Sequence, residues 1–131
     1  MSRSGYEACD EDEADEWHRR LMDTIASPEG QTFLRELAAA LDALPDKALI
    51  ADELIDEAGD CCAIGAVCKS RGIEQELDND TEFVAELLGA PHLLVAEIID
   101  QNDGYRIDAP DTRWQRMRRW VDKRIRKDGG K

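Results

Sequence analysis

A chain of 131 residues is sized for one domain with a single modest core. Its 30 Asp and Glu against 17 Lys and Arg leave a net charge of −13, which disfavours free nucleic acid and anionic membranes as partners and steers the molecule toward basic protein surfaces. The longest apolar run is too short to span a bilayer and the acidic stretch from Met1 to Glu16 has no apolar signal region, so a cytoplasmic location is expected.

Residues 1–12 are rich in Gly, Ser and acids with nothing to bury, and read as a flexible tail ahead of a helical domain over 13–127, with 128–131 frayed. Trp17, Leu21, Met22 and Ile25 recur at helical spacing and predict a first amphipathic helix over 13–26. Ser27-Pro28-Glu29 is a start signal, with serine as N-cap and proline in the first turn. The second helix then carries one apolar stripe of Phe33, Leu34, Leu37, Ala38, Leu41 and Leu44, and Pro45 stops it. The stretch 47–58 fits a short helix, an irregular connection or a small hairpin.

From Cys61 to Cys68 every side chain is small or apolar, which predicts a central helix buried on all sides, with Gly65 and Ala66 admitting a close neighbouring helix and Gly72 as a left-handed stop. Beyond it, Asp78 or Asp80 can cap a short helix burying Phe83, Val84, Leu87 and Leu88 and closed by Gly89. Pro91 opens another helix, with Leu94, Val95, Ile98 and Ile99 inward, ending at Asn102-Asp103-Gly104 as a cap in the left-handed region. Pro110 starts the last, with a stripe of Trp114, Met117, Val121 and Ile125. Trp120 is left to cover a second surface. The fold class is therefore all-α: a compact single-domain bundle of about five or six helices around a buried small-residue helix, with the hairpin at 47–58 as a variant.

Charge is distributed unevenly. Residues 105–131 hold ten Lys and Arg against four acids, whereas residues 1–104 hold seven against 26. Two acid groups flank the central helix, Asp52, Glu53, Asp56, Glu57 and Asp60 before it and Glu74, Glu76, Asp78, Asp80 and Glu82 after it, and together they suggest one negative patch for a basic partner. The alternative surface is basic: Arg113, Arg116, Arg119, Lys123, Arg126 and Lys127 on the last helix, suited to phosphates.

Parts for catalysis are missing. The histidines His18 and His92 stand apart, and no nucleophile elbow, phosphate-binding glycine loop or paired-histidine zinc helix occurs. Cys9, Cys61, Cys62 and Cys68 are too few for a disulfide framework and contain no Cys-x-x-Cys pair, so reduced, mostly buried thiols are expected, with no metal or cofactor. A thiol- or metal-dependent enzyme built on these cysteines is the least favoured reading.

Cys62-Ala63-Ile64-Gly65-Ala66-Val67, Leu88-Gly89, Asn102-Asp103, Arg113-Trp114 and Trp120-Val121 fall in an order that resembles a group of small helical bacterial and phage proteins. These share a Cys-Ala-Leu-Gly-Ala helix, a downstream Asn-Asp and a tryptophan-bearing carboxy-terminal helix. The likeness spans about Phe33 to Ile125 and departs at Ile64, in place of leucine, and at the additional Cys61. It implies a mobile-element setting and brings no activity with it. Charge and setting together suggest a non-enzymatic, anti-CRISPR-like inhibitor that mimics nucleic acid to block a basic effector complex.

Overall fold

The computed structural model describes residues 11–73, 80–104 and 108–125, with side chains from Asp15 onward. Local signals decide where its helices start and stop. α1 (Glu11–Ala26) passes directly into α2 (Pro28–Ala43), where Ser27 is the N-cap and its Oγ accepts from Gly30 N at 3.0 Å. α3 (Ala63–Ser70) is followed by Gly72 at φ +79°, whose left-handed backbone lets Ile73 N reach back to Cys68 O. In α4 (Thr81–Leu88), Asp80 caps the start through Glu82 N and Phe83 N, and Gly89 closes the end at φ +64°. α5 (His92–Asp103) follows Pro91, and α6 (Pro110–Arg124) begins on its proline.

α3 is the centre, as its composition requires. Ala63, Ile64, Gly65, Ala66, Val67 and Cys68 are all buried, and only Lys69 and Ser70 reach toward the surface. α1, α3 and α6 each pack against both α2 and α5, and α4 packs on α5, so the described helices form one all-α bundle. The core draws Phe33, Leu34, Leu37 and Leu41 from α2, Leu94, Val95, Ile98 and Ile99 from α5, and Met117 and Val121 from α6.

Several expectations are corrected. The central helix starts at Ala63, with Cys61 and Cys62 extended ahead of it; the Cys62 Sγ accepts from Gly65 N at 3.4 Å as an N-cap. Its close neighbour is backbone rather than another helix: a Cβ on Gly65 would lie 1.9 Å from Leu54 O. Of the alternatives for residues 47–58, the irregular connection is the one formed, with neither helix nor hairpin ladder. It carries one antiparallel bridge, Ile55 to Cys61.

Three helices also present other faces than expected. Met22 on α1 is 47% exposed. α4 buries Thr81, Val84, Ala85 and Leu88, turning Phe83 and Leu87 outward. α6 buries Arg113, Met117, Trp120 and Val121, so Trp120 is the core tryptophan and Trp114 is half-buried. Trp114 lies where its indole N–H donates to Leu41 O at 2.9 Å, in the last turn of α2, a carbonyl that otherwise takes only the long bond from Leu44 N at 3.4 Å.

Candidate functional site

The carboxylates at 52–60 are placed by a buried polar latch at the end of α5. Asn102 is fully buried, and its Nδ2 donates to Ile50 O at 2.9 Å and to Asp103 Oδ1 at 3.0 Å. Its Oδ1 accepts from Ala63 N at 3.1 Å, satisfying one of the amides that the start of α3 leaves open. Asp103 Oδ1 also accepts from Asp52 N at 3.1 Å. One Asn-Asp pair thus ties both the loop and the central helix to α5.

The expected left-handed cap at this point is not formed. Asn102 and Asp103 belong to α5 itself, and Gly104 lies at φ −58° in the right-handed region. Two guanidiniums from α6 close α5 instead. Arg113 Nε donates to Asn102 O at 3.0 Å and its Nη1 to Leu49 O at 3.3 Å; Arg116 Nη1 donates to Gln101 O at 2.6 Å and Nη2 to Asn102 O at 3.2 Å. Cations suit this negative end of the helix dipole. Arg116 Nε also pairs with Asp108 at 2.7 Å.

Beyond the latch the loop closes on itself. Ile50 N donates to Cys61 O at 2.9 Å, Cys62 N to Leu54 O at 3.0 Å and Asp56 N to Asp60 O at 2.8 Å. The Asp56 carboxylate accepts from Ala58 N and Asp60 N, both at 2.9 Å, and Lys69 Nζ holds Gly59 O at 2.8 Å. Asp52 takes φ +72°, a backbone that aspartate tolerates better than most residues. Asp52, Glu53, Glu57 and Asp60 are exposed, while Asp56 is half-buried and acts as the turn's internal acceptor.

Of the second acid group, Asp80 caps α4 and Glu82 is exposed beside it. Glu74, Glu76 and Asp78 lie outside the described residues. The basic surface is corrected more sharply. Arg113 is only 4% exposed and Arg116 is engaged at the end of α5, so neither is offered to phosphates; Arg119 and Lys123 are exposed, and Arg126 and Lys127 lie outside the described residues. The reason is the set of open carbonyls of α5, which drew two arginines inward. An Asn-Asp pair ending an apolar helix was the sequence signal for that hub.

Cys61, Cys62 and Cys68 are buried. Burial, and next the neighbouring Cys62, push the Cys61 thiol up to about 12 and the Cys68 thiol up to about 11, which keeps both protonated and poorly nucleophilic at neutral pH. Among the described residues no group of three or more His, Cys, Asp or Glu side chains is arranged to hold a metal ion, and no helix is long and apolar enough to cross a membrane. No protein-family model matches the chain, and comparison with curated proteins and with solved structures finds no match.

Proposed function

We propose that this is a non-enzymatic acidic interaction protein whose 52–60 loop presents carboxylates to the basic groove of a nucleic-acid-binding partner, standing in for phosphates. The observation that carries the reading is the pinning of an exposed acidic loop by Asn102 and Asp103. A loop ordered in advance loses less conformational freedom on binding than a mobile acidic tail would. Net charge of −13 adds long-range steering toward basic surfaces. The competing use of α6 as a phosphate-binding surface is weakened by the engagement of Arg113 and Arg116 inside the molecule.

The resemblance to phage and bacterial proteins supplies the setting for the proposal: a cytoplasmic counter-defence inhibitor of a CRISPR effector complex. The test is inhibition of duplex DNA cleavage by a panel of purified effector complexes. The wild-type chain is compared with a Glu53→Lys/Glu57→Lys/Asp60→Lys variant whose helicity and melting temperature are checked in parallel. The expected result is inhibition of at least one complex by the wild type, lost in the folded variant. Equal inhibition by both, or none by either, overturns the reading.

A further inference from the structure

The face of α4 that turns away from the core is a second surface with its own chemistry. Phe83 and Leu87 are 48% and 39% exposed, and their i, i+4 spacing places them side by side on one stripe of the helix. Glu82 and Glu86, both exposed, precede each of them in the chain. At the carboxy-terminal end of α4, a groove of about 300 Å³ runs against the amino-terminal half of α2, lined by Phe33, Leu88, Gly89, Glu29, Glu36 and Arg71.

The groove's guanidinium is already committed. Arg71 Nε and Nη2 donate to the two Glu36 carboxylate oxygens at 2.6 Å each, and Nη1 donates to Leu88 O at 2.9 Å. The stripe therefore presents Phe83 and Leu87 beside the carboxylates of Glu82 and Glu86, and the groove, floored by the largely buried Phe33 and Leu88, adds Glu29 and the mutually neutralised Arg71 and Glu36. This lies at the opposite end of α2 from the carboxylate loop, since Leu44 and Pro45 lie beside Gly59 and Asp60 while Pro28 and Glu29 line the groove.

We infer that Phe83, Leu87 and the adjoining groove form a docking surface for a cationic amphipathic segment of a partner protein. Its apolar side chains would cover Phe83 and Leu87, and its Lys or Arg residues would meet Glu82, Glu86 and, in the groove, Glu29. Charge complementarity selects this occupant. A second copy brings the same −13 net charge and the same acidic rim to the contact, and an anionic membrane is repelled for the same reason. The inference stands apart from the 52–60 loop and does not need that loop to bind anything.

The test uses the full chain and a fluorescein-labelled amphipathic helical peptide of leucine and lysine, with binding read by fluorescence anisotropy at physiological salt. A peptide of the same charge with serine for leucine is the control. Three variants separate the surfaces: Phe83→Ser/Leu87→Ser, Glu82→Lys/Glu86→Lys, and the triple lysine variant of the loop, each confirmed as folded by circular dichroism. Expected are a weakening of about tenfold or more with either α4 variant, a similar loss with the serine peptide, and a change within about twofold for the loop variant. No binding by the wild type, equal binding by the α4 variants, or a loss confined to the loop variant overturns the proposal. So does a wild-type dimer in sedimentation that Phe83→Ser/Leu87→Ser dissolves, which would assign the face to a second copy.

Discussion

Glu97 is a charge held against the preference of its surroundings. It lies on α5 with 9% exposure, and its Oε2 accepts from Gln101 Nε2 at 2.9 Å. Burial lifts its pKa above the ordinary carboxylate range; the Gln101 hydrogen bond opposes this, Asp100 adds to it, and the charges of Arg124 and His18 oppose it without prevailing. A carboxyl whose folded pKa is raised helps the folded state while protonated, and that help is lost as pH rises through the raised value. Glu97→Gln keeps an acceptor for Gln101 and removes the buried charge. Arg124 loses a counter-charge but keeps the Trp120 ring, 4.1 Å from its guanidinium carbon, and the Trp120 carbonyl. The variant is expected to melt higher than wild type at neutral pH, with the gap closing toward about pH 4, where an ordinary carboxyl is half protonated. Thermal unfolding across that range checks it, and a variant that melts lower at neutral pH would mean that the attraction of the Arg124 and His18 charges outweighs burial.

Helix ends were legible in the sequence because each is written in a few adjacent residues: Ser27-Pro28 for α2, Asp80 and Gly89 for α4, Pro91 for α5, Pro110 for α6. Helix faces were less so. In α4 the apolar residues exceed one stripe, and periodicity alone does not say that Val84 and Ala85 go inward while Phe83 and Leu87 go out. In α6 an inward arginine contradicts any hydrophobic pattern, and it follows only from the open carbonyls of Gln101 and Asn102 on a different element. The course of 47–61 was not legible, because what fixes it lies 51 and 52 positions away at Asp103 and Asn102. The acidic residues of the candidate site were visible by composition; their anchoring was not. Asn102→Ala is expected to leave the buried Ala63 N–H and the half-buried Ile50 C=O without this partner and to cost roughly 2–4 kcal/mol in urea unfolding. Amide exchange should separate this from a general loosening. Protection should fall first at Ile50, Asp56 and Cys62, the loop's own donors, ahead of the α2 amides. Uniform loss across the bundle would deny the latch its local role.

At the scale of the molecule, two electrostatic effects oppose each other. The acidic part attracts the basic end: Arg118 grips Asp42 of α2 at 2.9 and 3.1 Å, drawing α6 to the body. Against this stands repulsion within residues 1–104, where 26 acids face seven bases. Salt screens both, with a Debye length of about 10 Å at 0.1 M. The attraction runs through a few close, half-exposed pairs that contribute little in water, whereas the repulsion is the sum of many like charges. Repulsion should therefore dominate the response, and the melting temperature should rise with added NaCl by a few degrees. A fall would show that contact between the poles outweighs repulsion within the acidic body. Binding through the 52–60 loop should move the other way, since the carboxylate field that destabilises the fold is the same field that draws a basic partner. Melting and partner affinity measured over one salt series should change in opposite directions, a pairing that a surface acidic only for solubility has no reason to produce.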